Sequence, residues 1–233
     1  MGEVRRLFET RKQEIESCIN HVVELEHQKT QNSMLKTLTC IRASILLMLY
    51  NMVEAVMREC LRAIHNRLIG RWLTYDVLNT EIKQLLLSYF RNKIEKKTTS
   101  SCIESDYVQL IELLHAHITF DLEYDALEKK VSLYSGNLDA KKIKQTLRKY
   151  GVAMQKEDSV LKRADSNLTN IKNWRNILAH GEKGFEEVGR DVSSMYLRSL
   201  YQGACEYMSA VIDAVDIFLQ EDLYMRRYSN LHR

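Results

Sequence analysis

The chain has 233 residues, of which 45% are hydrophobic and 28% charged, so there is ample apolar material for a core, and the composition argues against a disordered or membrane-embedded polypeptide. A formal net charge of +3 does not announce nucleic-acid binding, because a local basic patch decides that and not the total. Proline is absent, against a usual share of about 5%. With helical periodicity recurring along the chain, this predicts an all-α fold of long uninterrupted helices.

The five cysteines, Cys18, Cys40, Cys60, Cys102 and Cys205, are odd in number, widely spaced and form no CxxC pair. That usage suits a reducing compartment better than a disulfide framework or a zinc site. Met1 to Thr10 is charged and lacks the apolar stretch of a signal peptide. The longest apolar run, Ile45 to Tyr50, falls far short of the roughly 20 residues needed to span a bilayer. The expected location is cytoplasmic, with no membrane partner.

In chain order, Val4, Phe8, Ile15, Ile19 and Val22 fall near helical spacing and predict a helix over 4–29, followed by a polar break at Thr30 to Ser33. The segment 34–69 is the most hydrophobic; its centre, Ala43 to Met57, is apolar nearly all round, as a central core helix should be, and Gly70 closes it. A third helix is expected from Asp76 to Lys97, then a linker, Thr98 to Ser101, and a short helix over 106–117. Between Ile118 and Tyr134 the pattern is irregular and assigns no type. Ser135-Gly136-Asn137-Leu138-Asp139 reads as a turn that caps a helix running to Tyr150, with Gly151 as its stop. A helix then runs to His180, a glycine-containing loop covers Glu182 to Arg190, and a final helix from about Ser193 to Tyr224 carries Leu197, Leu200, Ala204, Val211, Val215 and Phe218 inward. The expected organisation is one domain over 1–233: an N-terminal helix in 1–33, core helices at 34–70, 159–181 and 193–224, and an irregular insert at 98–135.

One stretch breaks its own pattern. Leu161, Ala164, Leu168, Ile171 and Leu178 mark one helix face in steps of threes and fours, and Arg175 falls on that stripe. An unpaired charge driven into protein costs many kcal/mol, so Arg175 must be paired or must serve a ligand. His180 lies five residues on, which on an ideal helix is a rotation of roughly 140° and a rise of about 7.5 Å. Arg175 and His180 therefore do not share a face, whereas Asn176 nearly eclipses His180. For the two to meet at one ligand, the helix must end near Ala179, where Gly181 is suited to a C-terminal cap, or the two must come from different copies of the chain.

Other constellations are weaker. There is no HExxH, no phosphate-binding glycine loop and no GxSxG, and His115 and His117, two apart on a helix, point to different faces, so neither a metal nor a cofactor is expected. The run Lys141, Lys142, Lys144, Arg148, Lys149 suits a solvated helix face, although RNA phosphates could use it. Arg58 with His65, and Arg227 with His232, match the loose arginine-to-histidine spacing as well. What separates Arg175 and His180 is context: a charge on a core stripe, an asparagine eclipsing the histidine, and a glycine after it. Glu54, the only charge between Ala43 and Met57, shares a face with Asn51; it either pairs with Arg175 or makes a local pair with Arg58.

Arg175-Asn176-Ile177-Leu178-Ala179-His180 resembles the signature of HEPN domains, α-helical bundles that include many bacterial ribonuclease toxins. Leu49-Tyr50-Asn51-Met52-Val53-Glu54-Ala55, the Ser135 to Asp139 turn with Lys149-Tyr150-Gly151, and Gly181-Glu182 with Phe185 to Arg190 extend the likeness over roughly 35–225, to a bacterial subfamily first noted in cyanobacteria. Gly184 stands where that pattern has a small polar residue, usually serine. The resemblance implies an all-α helical bundle of the HEPN type with additional helices, and metal-independent endoribonuclease chemistry. Arg175, His180 and Asn176 would be catalytic, and Asn51 and Glu54 supporting. Histidine, titrating ordinarily at about 6.5, can take the proton of a ribose 2′-hydroxyl, and a permanent arginine cation can stabilise charge on phosphorane oxygens. The family also implies a homodimer whose Arg-His sets line one cleft, and a toxin or phage-defence role checked by an antitoxin protein. A non-catalytic HEPN module binding a protein or nucleotide fits the helices equally well.

Overall fold

The structure, a computed structural model, describes residues 1–27, 32–95, 108, 110–112, 119–134, 136–154 and 159–226. The linker Thr98–Ser101, Cys102, His115, His117, Ser135, Arg227, His232 and the side chain of Leu161 lie outside the described residues.

The helices are α1 (Gly2–His27), α2 (Asn32–Gly70), α3 (Thr80–Glu95), α4 (Tyr124–Val131), α5 (Ala140–Arg148), α6 (Ser159–Ala179), α7 (Phe185–Asp191) and α8 (Ser194–Gln220), with a 3₁₀ turn at Tyr75–Val77. Among the described residues there is no strand, only the isolated antiparallel bridges Thr74–Thr119 and Leu78–Met225. The fold is all-α, as the missing prolines and the helical periodicity predict. The described chain divides into two compact units, 1–59 with 137–143 and 155–212, and 60–136 with 144–154 and 213–233.

In the first unit, α1 buries the five residues its periodicity names, Val4, Phe8, Ile15, Ile19 and Val22. The front of α2 is buried on most sides, from Ala43 through Ile45, Leu46, Leu49, Met52, Val53 and Val56. Over Leu35–Gly70 the helix is also long and apolar enough to cross a membrane, and half of its most apolar stretch is buried inside the protein. The inner face of α8 buries Leu197, Leu200, Ala204, Tyr207 and Val211.

In the second unit, the rear of α2 buries His65 among aromatic rings: Phe120, Tyr124 and Tyr150 lie with centroids 5.7, 5.8 and 5.7 Å from the imidazole. Its Nδ1 faces the Leu122 carbonyl, which can only accept, so the proton sits on Nδ1, and Nε2 accepts from the Tyr150 hydroxyl at 3.0 Å. Burial pushes the His65 pKa down to about 4, against the opposing pull of the Leu122 carbonyl and the Asp125 charge. The Arg58–His65 pair thus resolves into a structural histidine and, in the other unit, an arginine facing Glu54.

Several boundaries differ from the sequence reading. The helix expected from Asp76 starts at Thr80, because Asn79 caps it by accepting the Ile82 N–H at 2.8 Å. The segment 118–134, to which the sequence assigns no type, contains α4. The helix expected to reach Tyr150 ends at Arg148, where Gly151 (φ +83°) makes a Schellman turn through Gly151 N–H to Arg148 O and Val152 N–H to Leu147 O. The final helix stops at Gln220.

The larger correction is at Glu182 to Arg190, expected to be a loop: residues Phe185–Asp191 form α7. Its glycines suggest a loop, but Gly189 serves packing instead. A Cβ there would lie 1.8 Å from the Thr39 carbonyl oxygen, so only glycine lets α7 approach the backbone of α2 this closely. Arg42 then donates to the Gly189 carbonyl at 3.2 Å. Gly184, where the resembling pattern has serine, is the N-cap residue of α7, with φ −74° and ψ 159° and no side chain to cap it. Serine and glycine are both accepted there, glycine at a cost of a few tenths of a kcal/mol.

Candidate active site

The stripe on α6 is real: Ala164, Leu168 and Ile171 are 1% exposed and Leu178 7%. Arg175 is only partly buried, at the margin of that face. Its guanidinium is supported without any carboxylate. The Cζ atom lies 4.7 Å from the centroid of the Tyr50 ring on α2, and Nη1 donates to Asn176 Oδ1 at 3.0 Å. No ion pair of Arg175 occurs among the described residues. A cation held by a π face and a neutral amide keeps its full charge for a ligand, which a carboxylate partner would neutralise.

The Asn137 turn fixes the other side. Gly136 takes φ +67°, and Leu138, 1% exposed, anchors the turn with its side chain while its N–H donates to the Tyr50 hydroxyl at 3.2 Å. Asp139 caps α5 by accepting the Lys142 N–H at 2.9 Å and accepts from Lys172 Nζ on α6 at 2.7 Å. Burial pushes the Asp139 carboxyl up, but the bonds from Lys172 and Lys142, with the charges of Lys172 and Lys141, outweigh it and hold the carboxyl below its ordinary range. Asn176 Nδ2 donates to Asn137 Oδ1 at 2.9 Å. Lys172 and Asn176, four apart and on one face of α6, therefore meet Asp139 and Asn137, two apart in the turn.

Tyr50 serves two elements at once, its face under Arg175 and its hydroxyl on the turn. Burial raises its pKa, with the Glu54 charge adding to the effect and the Leu138 N–H and Arg175 opposing it, so it remains a neutral phenol.

His180 lies at the end of its helix, as expected, but the helix end does not by itself bring it round to Arg175. Helix α6 ends at Ala179, His180 is the C-cap, and Gly181 takes φ +69°. The Gly181 N–H bonds to Leu178 O at 3.3 Å and the Glu182 N–H to Ile177 O at 3.0 Å, the two bonds of a Schellman motif. The His180 N–H still bonds to Asn176 O at 2.9 Å, so the helical course persists as far as His180. Its imidazole is exposed and has no hydrogen-bond partner among the described residues.

Arg175, Asn176, Tyr50 and Asn137 thus form one connected cluster. His180 is on the same helix end, but no hydrogen bond or ring contact joins its imidazole to Arg175 or to the Asn176 side chain, which is engaged with Arg175 and Asn137 instead. Glu54 does not pair with Arg175: its partner is Arg58, one turn on, at a loose 3.8 Å. Asn51, beside Tyr50 on α2, is exposed and makes no side-chain hydrogen bond among the described residues. Tyr50 and Asn137 stand inside stretches that carry the family resemblance, yet neither shows a role from sequence. A tyrosine in an apolar run reads as core, and an asparagine beside a glycine reads as a turn. The one available signal was the matched spacing of 137 and 139 against 172 and 176. Among the described residues no group of three or more His, Cys, Asp or Glu side chains gathers as a metal site.

No curated protein and no solved structure matches the chain. The HEPN_MAE_28990-like HEPN family matches over residues 3–224, and HEPN domains as a group point to RNA-related and often nuclease function. An all-α chain matched over nearly its whole length, it belongs to the HEPN_MAE_28990-like HEPN family.

Proposed function

We propose that the protein is a metal-independent endoribonuclease that cleaves RNA by 2′-hydroxyl transesterification. The observation that carries this reading is the carboxylate-free Arg175, stacked on Tyr50 and steered by Asn176, on the same helix end that exposes His180. In this reaction the His180 imidazole takes the 2′-hydroxyl proton and the 2′ oxygen attacks phosphorus. The bond from phosphorus to the 5′ oxygen breaks, and that oxygen leaves as a hydroxyl after taking up a proton. Arg175 stabilises the charge on the phosphorane oxygens, and the products are a 2′,3′-cyclic phosphate and a 5′-hydroxyl.

A homodimer completes the proposal. Because α6 keeps its helical course to His180, Arg175 and His180 of one chain remain about 140° apart around the axis, and a two-fold related copy supplies the convergence that one chain does not build. Such an enzyme, acting in the cytoplasm on RNA alone among polymers, suits a toxin or phage-defence effector checked by a cognate antitoxin.

The test is incubation of the protein with labelled single-stranded RNA in excess EDTA, beside Arg175→Ala and His180→Ala. Cleavage that survives chelation and disappears in both variants supports the enzyme. Binding without cleavage would return the protein to the non-catalytic binding reading.

A further inference from the structure

We propose that Asn137 is a substrate-contacting residue, whose side-chain amide donates a hydrogen bond to a phosphodiester oxygen of the RNA beside the Arg175 guanidinium. This rests on reading the site as one that receives RNA.

A guanidinium carries only donors, so the Asn176 atom facing Arg175 must be the amide oxygen. That fixes Asn176 with Nδ2 toward Asn137, where it must meet an acceptor, the Asn137 oxygen. Asn137 in turn has only one orientation left, with its oxygen inward and its NH₂ directed away from Asn176. The donor-only guanidinium of Arg175 thus sets the orientation of two amides in turn and leaves an exposed donor at the end of the relay. Asn137 is exposed, and its Nδ2 has no hydrogen-bond partner among the described residues.

The turn is built to hold that donor still. Leu138 is buried and bonded to Tyr50, and Asp139 is locked by Lys172 and by its capping bond to Lys142. Two donors on different elements, linked through Asn176, one cationic and one neutral, are suited to the non-bridging oxygens of a phosphodiester, as multiple N–H groups are in anion sites generally. The nearby Asp139 charge is compensated by its ion pair with Lys172, so it does not repel a phosphate there at full strength.

Asn137→Asp separates this role from a structural one. The replacement is isosteric and still accepts from Asn176 Nδ2, but it puts a carboxylate oxygen where the outward donor was. Binding is read by fluorescence anisotropy with a 2′-O-methyl single-stranded oligonucleotide, which cannot be cleaved by this chemistry. A contact role predicts that Asn137→Ala weakens binding about tenfold and Asn137→Asp more, with an unchanged thermal midpoint for Asn137→Asp. A single uncharged methylphosphonate linkage at the contacted position should shrink the Asn137→Asp penalty. A purely structural role predicts the reverse order, with Asn137→Asp close to wild type, and that order overturns the proposal, as does a wild-type protein that binds no oligonucleotide. If the wild type binds the oligonucleotide but leaves the matching RNA uncut, the nuclease reading fails while the order of the two variants still decides the role of Asn137.

Discussion

Replacing Tyr50 separates its two contributions. Tyr50→Phe keeps the ring beneath Arg175 and removes the hydroxyl that accepts the Leu138 N–H; Tyr50→Leu removes both. A cation–π contact contributes about 0.5 kcal/mol at an exposed site and about 2 kcal/mol when desolvated, and Arg175, partly buried, lies between. If the ring holds the guanidinium in its working position, Tyr50→Leu lowers kcat/KM for RNA by roughly 2- to 30-fold. Tyr50→Phe leaves kcat/KM within about twofold but loses stability, because an amide left unpaired beneath a buried Leu138 costs about 1–3 kcal/mol. Single-turnover cleavage and urea unfolding, measured on the same preparations, give the two numbers. Equal loss of cleavage in Phe and Leu variants would refute the stacking argument and move the function of Tyr50 to its hydroxyl.

Three further outcomes follow from the packing and charges. Gly189→Ala places a methyl 1.8 Å from the Thr39 carbonyl oxygen and 2.4 Å from its carbon, backbone atoms that cannot rotate away; α7 must move and the chain should lose about 3 kcal/mol in urea unfolding, whereas Gly184→Ser, which meets open space at an N-cap, should hold or gain a few tenths. His65 is held neutral with a folded-state pKa of about 4, below its unfolded value of about 6.5, so only the unfolded chain takes up the proton as pH falls; its stabilising effect is complete above about 6.5 and declines by roughly 3 kcal/mol towards pH 4, which urea midpoints across that range measure, and an imidazole that titrates near 6.5 in the folded protein would contradict it. Glu54→Gln removes the loose, part-exposed pair with Arg58 and one of the charges that raise the pKa of a phenol that is neutral in any case, so it should cost a few tenths of a kcal/mol and change cleavage less than twofold in the same assays.

The α6 end was readable from sequence because its signals are local. A stripe of apolar residues, a terminal glycine and the rise of a helix are enough to place His180 at a C-cap, and the Schellman bonds at Gly181 bear this out. The capped turn before α5 was readable for the same reason. What supports Arg175 was not, because it is long-range. Carboxylates are the obvious partners for a guanidinium, and Glu54 was the available one, yet the neighbour that the fold delivers is the ring of Tyr50. Likewise Gly189 reads as a loop residue until the helix it packs against is known. Local composition reports backbone freedom, and whether that freedom makes a turn or a close helix crossing depends on residue 39, 150 positions earlier in the chain.

The most direct test of the account is the chemistry of the cut end. With an RNA carrying one preferred cleavage site, mass spectrometry of the upstream fragment in EDTA should show a 2′,3′-cyclic phosphate, and a single 2′-deoxy substitution at the nucleotide before the cut should abolish cleavage there. A fragment ending in a 3′-hydroxyl, or undiminished cutting of the deoxy-substituted RNA, would contradict attack by the 2′ oxygen and with it the roles given to His180 and Arg175.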